Sequence, residues 1–173
     1  EHECKEAREE IAKSLRVKEK ESVVTSGGTE SNNMAIIGGA KAARRKGNHI
    51  ITSTIEHASV YNVFGHLEEE GWRVSYIPVD EYGRLNQEAL LSRLDDETVL
   101  VSVMYVNNEI GAVEPVEEIA KLIHKINPAI LFHVDAIQAY GKFVIRPKRQ
   151  GIDLLSVSGH KIHAPKGIGF LYV

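Results

Sequence analysis

Only one cysteine, Cys4, occurs in the chain. A lone thiol closes no internal disulfide, which excludes the small cross-linked secreted folds and points to a reducing, cytoplasmic setting. Long apolar runs are missing as well. None approaches the roughly 20 residues that cross a bilayer, and no secretory-signal pattern is visible, so no membrane role is expected. Charge of one sign is not in excess: 21 Lys and Arg stand against 24 Asp and Glu, for a net charge of −3. The one basic cluster, "AARRK" at 42–46, sits where a helix would end, and cations there suit the helix dipole. Nothing forms a stripe that would follow a nucleic-acid backbone. No repeat, low-complexity tract or linker interrupts the chain. His2 with Cys4, and His160 with His163, make close pairs, but no four-ligand set emerges and no metal is expected.

What is present is an ordinary globular composition, 43% apolar and 26% charged over 173 residues, enough for one domain with a real core. Ala7, Ile11 and Leu15 recur every fourth residue, which predicts an amphipathic helix over 3–16. Strand-like and helix-like segments then alternate. Strands are predicted at 22–26, 49–55, 73–79, 98–106, 130–136, 153–158 and 169–173. Helices are predicted at 30–46, with Met34, Ile37 and Ala40–Ala43 as the apolar face, and at 58–71, 86–94 and 115–127. The run "TVLVSVMYV" is apolar throughout, the mark of a strand buried on both faces. Asn86 reads as an N-cap, Gly71 as a C-cap and Pro115 as a first helical residue. Such alternation implies an α/β fold, a mostly parallel sheet flanked by helices. The last two strands lie too close for a helical crossover, so they are expected to be antiparallel neighbours.

In a parallel sheet, ligands gather at the carboxyl ends of the strands. Each such end here carries a polar group with an ordinary reading as well as a functional one. "GGTESNN" after the first strand is either an anion cradle at a helix start or a glycine turn with Thr29 as cap. His57 follows the second strand. Asn107, Asn108 and Glu109 follow the buried one, where amides are also common turn formers. Asp135, with Gln138 beyond it, follows "ILFHV": either a partly desolvated acid needing a cation or a cap for the next turn. Ser158, Gly159, His160 and Lys161 follow "DLLSV", and strand alternation would put Ser158 and His160 on one side and Lys161 on the other. One rim would thus hold an anion cradle, an acid, amides, an aromatic ring and an amine. Pyridoxal 5′-phosphate wants all of these: donors for its phosphate, a carboxylate for its ring nitrogen, a flat partner for its ring and a lysine for its aldehyde.

The motifs "TSGGTESNN", "EHASV", "VNNEIG", "HVDAIQAYGK" and "SGHKIHAPKGIG", in this order, closely resemble those of cysteine desulfurases, class V members of the fold-type I pyridoxal-phosphate enzymes. The resemblance implies the large-domain fold of that group, a seven-stranded-type sheet with one antiparallel strand. It implies Lys161 as the Schiff-base lysine and proton carrier, Asp135 as partner of the ring nitrogen and Gln138 at the 3′-oxygen. His57 would stack on the ring and take part in proton transfer. Asn108 would face cofactor and substrate carboxylate, and Gly28, Thr29, Ser158 and His160 would cradle the phosphate. Lys166 matches a lysine of the "PKG" turn and is assigned a structural part. "GG" at 27–28 stands where relatives have Gly-Ala.

The implied activity is removal of sulfur from L-cysteine, giving L-alanine and an enzyme persulfide for iron–sulfur or thio-cofactor assembly. The alternatives are a selenocysteine lyase or another class V enzyme, and a cofactor-binding domain that turns nothing over. A homodimer and a sulfur-acceptor protein are implied as partners. The resemblance puts the persulfide cysteine well after the lysine, and Cys4 matches no such position. The sequence begins at Glu1 and ends in the strand-like "FLYV". Residues 1–173 are therefore expected to be the cofactor-binding large domain, cut at both ends, without the small domain and inactive alone.

Overall fold

The computed structural model describes residues 2–173, with Glu1 and the side chain of His2 outside it. One seven-stranded sheet has the order β1-β7-β6-β5-β4-β2-β3. Its strands are β1 (Ser22–Thr25), β2 (His49–Ser53), β3 (Arg73–Ile77), β4 (Thr98–Met104), β5 (Leu131–Asp135), β6 (Leu154–Ser158) and β7 (Gly169–Tyr172). β2 through β6 pair in parallel, whereas β7 runs antiparallel to both β6 and β1. The expected antiparallel neighbours are therefore β6 and β7, and a single strand is reversed.

The helices are α1 (His2–Leu15), α2 (Gly28–Ala42), α3 (Ala58–Glu69), α4 (Gln87–Arg93), α5 (Val116–Ile126) and the short α6 (Pro147–Gln150). Strand alternation sends side chains to two covers. Ile51, Val101, Val103, Phe132 and Val134 pack with Leu15, Leu90, Ile119 and Ile123 of α1, α4 and α5. Ile50, Leu100, Leu154 and Leu171 pack with Ala35, Ile36, Val60 and Phe64 of α2 and α3. All seven residues of β4 are buried, as expected for the central apolar run. Asn86 caps α4 by accepting from the Ala89 N–H at 2.9 Å. Gly71 follows the end of α3 at φ 92°, a left-handed position that glycine fills without strain. No helix among the described residues is long and apolar enough to cross a membrane.

Several local expectations are corrected. Met34 is exposed and Ile37 half-buried; α2 instead buries Ser31, Asn32, Ala35, Ile36 and Ala40. The helix approaches the sheet so closely that a Cβ on Gly39 would stand 3.0 Å from Leu100 Cδ1. Small residues win there over large apolar ones, and the polar ones find buried partners. α2 also begins at Gly28, two residues earlier than predicted, with Gly27 rather than Thr29 at its N-cap. Pro115 caps α5 from just outside it. Ala7 of α1 is exposed, so only the second half of that helix packs.

A polar rung crosses the α2 side of the sheet. His133 bonds Ser102 Oγ through Nδ1 at 2.7 Å and Ser156 Oγ through Nε2 at 2.8 Å. Burial pushes the His133 pKa down to about 3. The folded ring stays neutral, whereas in the unfolded chain it takes a proton near pH 6.5. The unfolded state therefore binds the extra proton between these values. Its contribution to stability is full above pH 6.5 and is lost as pH falls toward 3, by about 1.4 kcal/mol per pH unit. In urea unfolding, His133→Gln should show a loss of stability between pH 6.5 and 5 that is smaller than that of the native chain by about 2 kcal/mol. Parallel profiles for the two proteins would contradict a buried neutral ring.

Candidate active site

Because β1, β2, β4, β5 and β6 point the same way, the segments that follow them meet at one rim. They line a cavity of about 630 Å³, within the usual range for a small-molecule site. β7 runs the other way, so its start reaches this rim too and brings Lys166 and Gly167 into the lining.

The α2 start presents backbone donors that an anion could use. Gly27 adopts φ 146°, open only to glycine in practice. The first intrahelical bond runs from Ser31 N–H to Gly27 O, which leaves the N–H groups of Gly28, Thr29 and Glu30 ahead of it uncommitted. Glu30 folds back to accept from Ser26 N–H, and that bond holds its carboxyl below the ordinary pKa. A Cβ on Gly28 would fall 2.3 Å from Ile137 Cδ1. Ile137 thus fills the space that an alanine at 28 would need, which relates the "GG" pair to its neighbour after β5.

Asp135 closes β5 and is 3% exposed. Desolvation raises its pKa, opposed by the Ile137 N–H at 3.0 Å on Oδ1 and the Asn32 amide at 3.1 Å on Oδ2. Asp135 caps the following turn and also faces the cavity. Among the described residues no Lys or Arg pairs with it. His57 is the N-cap of α3: its Nδ1 accepts from Ser59 N–H at 3.1 Å and lies 2.8 Å from Ser59 Oγ. The ring is thereby held at the cavity wall.

The two asparagines after β4 separate. Asn107 is the turn former, accepting from Glu109 and Ile110 N–H and donating to Ile55 O. Asn108 is exposed and lines the cavity, as do Thr29 and Gln138. Residues Gly159–Ile162 form a 3-10 turn rather than a continued strand, so strand alternation does not govern that stretch. Ser158 Oγ and His160 Nδ1 are hydrogen-bonded to each other. Lys161 lines the cavity, exposed, with no ion pair among the described residues. Lys166, assigned to the turn from sequence, lines it too. Gly28, Thr29, His57, Asn108, Asp135, Gln138, Ser158, His160 and Lys161 therefore all border one hollow. Cys4 is exposed on α1 and does not line it. Sequence reasoning gave no part to Asn32 or Ser59. The signal was Asn32 four residues after Gly28, on the same helix face.

The profile of the aminotransferase class-V family matches residues 1–173. The chain is 52% identical over 167 residues to cysteine desulfurase IscS of Ehrlichia chaffeensis, covering 96% of this chain and 40% of that protein. It is 49% identical over 167 residues to cysteine desulfurase IscS of Methanosarcina thermophila, covering 96% and 41%. Among solved structures it resembles a NifS-like protein with TM-score 0.95 and 39% identity, over 98% of this chain and 47% of that one. SspA in complex with cysteine gives TM-score 0.92 and 41% identity, over 98% and 48%. The chain thus spans less than half the length of these relatives.

Under the rim, Glu56 Oε1 accepts from Ser53 Oγ at 2.6 Å and Met104 N–H at 3.1 Å, while Oε2 is buried without a partner. The residue is partly exposed, but its carboxyl end is not. Burial, with the nearby Asp135 charge adding to it, pushes its pKa up to about 8. The folded chain keeps a proton that the unfolded chain releases near pH 4.5. Stability from this group is full below 4.5 and lost as pH rises toward 8. Glu56→Gln keeps the acceptor and removes the titration. It should stabilise the protein at pH 8 by up to about 4 kcal/mol, with the gap closing near pH 4.5. A gap independent of pH in thermal unfolding would contradict the protonated carboxyl.

Proposed function

The chain belongs to the class-V aminotransferase family, and we propose that it forms the cofactor-binding part of a pyridoxal-phosphate-dependent cysteine desulfurase. The whole protein would take the sulfur of L-cysteine and leave L-alanine. The 52% identity to a cysteine desulfurase IscS supports the activity, and the likeness to an SspA determined with cysteine supports the substrate. The observation that carries the cofactor reading is Asp135: a buried carboxylate that pairs with no Lys or Arg among the described residues, on a cavity that also holds a lysine with no ion pair among them. A buried charge of this kind needs a positive partner, and a protonated ring nitrogen is one. The open N–H groups of α2 with Thr29, Ser158 and His160 fit a phosphate.

When bound, pyridoxal phosphate supplies a sink for the electron pair left at the substrate α-carbon. Lys161 would hold its aldehyde carbon covalently and, once displaced by the substrate amine, move the proton at the α-carbon. Asp135 would keep the ring nitrogen protonated. Gln138 would donate to the 3′-oxygen, and Asn108 would face the substrate carboxylate. His57 would lie against the ring; with Nδ1 committed to Ser59, Nε2 is the nitrogen through which it would exchange a proton. The sulfur would pass to an acceptor thiol and then to a sulfur-acceptor protein for iron–sulfur or thio-cofactor assembly, with the whole enzyme acting as a homodimer in the cytoplasm.

The full-length protein supplied with L-cysteine should release alanine and sulfide in the presence of a thiol. Lys161→Ala should lower the rate by about a thousandfold or more, and Asp135→Ala by about a hundredfold or more, while both variants stay folded. More than about a tenth of the native rate in folded Lys161→Ala would refute its assigned part. Preferential turnover of L-selenocysteine would move the reading to a selenocysteine lyase.

A further inference from the structure

Asn32 is fully buried on the sheet face of α2 and does not border the cavity. Its Nδ2 donates twice, to Asp135 Oδ2 at 3.1 Å and to Ser59 Oγ at 3.0 Å. Ser59 Oγ lies 2.8 Å from His57 Nδ1, which also accepts from Ser59 N–H. With the Asn32 amide arriving at its oxygen, the Ser59 hydroxyl proton can share His57 Nδ1 with the Ser59 N–H, in the tautomer whose ring proton is on Nε2. One NH₂ group therefore ties three elements: α2, the start of α3 and the end of β5.

The other end of the same amide is the informative one. Asn32 Oδ1 is buried and has no hydrogen-bond partner among the described residues. An orphaned buried carbonyl is a net loss that an apolar side chain of the same size would avoid. Turning the amide over would set that carbonyl against the Asp135 carboxylate, so the orientation is fixed. The NH₂ group is thus retained in spite of the orphan.

We propose that Asn32 is a positioning residue, whose single amide fixes the Asp135 carboxylate and the His57 ring relative to each other across the cavity. This rests on the pyridoxal-phosphate reading of that cavity, in which the two groups would meet the ring nitrogen and the ring face. Asn32 itself touches neither cofactor nor substrate. Removing its donor would take one bond from Asp135 and one from the Ser59 hydroxyl at once, leaving the Ile137 N–H on Asp135 and the Ser59 N–H on His57, although the two groups sit on different elements.

The test uses the full-length protein with Asn32→Asp, which preserves shape and replaces the donor by an acceptor, and Asn32→Leu, which removes both. Circular dichroism checks folding, and if the leucine variant fails to fold the isosteric one carries the experiment. In cofactor-free protein, ¹⁵N NMR of the His57 ring reads the bond at Nδ1; spectrophotometric titration with pyridoxal phosphate reads affinity. In the variants the Nδ1 resonance should move from its native position, and the Kd should rise by about tenfold or more. A folded variant with an unmoved Nδ1 resonance overturns the link to His57. A moved resonance with Kd within about twofold of native overturns the role at the cofactor site. Native protein that binds no pyridoxal phosphate would instead overturn the reading of the cavity, a result separable from these because it precedes any substitution.

Discussion

A carboxylate at the end of β5 is held almost wholly out of water with no Lys or Arg pairing with it among the described residues, and the rest of the rim is arranged around that fact. Two neutral N–H donors, from Ile137 and Asn32, keep Asp135 in place without neutralising it. A charge so placed is unfavourable in the empty fold and becomes favourable only when something positive arrives. Removing the Asp135 side chain would relieve this cost and also remove the reason a cationic ring would settle there. On the proposed reading, the site would thus favour a cationic ring at the expense of the protein without one.

Sheet geometry explains why so many unlike groups meet there. Parallel strands put all their following segments at one edge. Those after β1, β2, β4, β5 and β6 therefore contribute in turn a helix start, a histidine cap, an exposed amide, an acid and a lysine turn. The reversed β7 adds its beginning to the same edge, and the backbones are packed tightly enough that a Cβ on Gly169 would stand 2.6 Å from Val157 O. The segment between β6 and β7 turns back at this edge and places two lysines, Lys161 and Lys166, on the cavity wall.

Much of this was legible because the strands announce themselves. The strand–helix alternation, the largely apolar β4 and the short spacing between β6 and β7 together give a mostly parallel sheet with one reversed strand. The polar residues directly after each strand then mark the rim. What stayed hidden was anything that depends on distance across the fold. Asn32 looks like one more polar residue on a helix, and its value lies in touching residues far along the chain. The same holds for the face of α2: the sequence points to Met34 and Ile37, but close approach at Gly39 selects small residues and buried polar pairs instead. Strand alternation was carried past the end of β6 to His160 and Lys161 because periodicity does not see the 3-10 bend at Gly159–Ile162. Lys166 was placed in a turn correctly, but which cavity that turn overlies is set by the direction of β7.

The central claim is that the hollow beside Asp135 holds pyridoxal phosphate through one particular amine. The most direct measurement is borohydride reduction of the full-length protein loaded with pyridoxal phosphate, followed by peptide mapping of the pyridoxyl group by mass spectrometry. The account predicts the label on Lys161, and its loss when Asp135 is replaced by alanine at cofactor concentrations that saturate the native protein. A label on Lys166, or one spread over surface lysines and indifferent to Asp135, would contradict it.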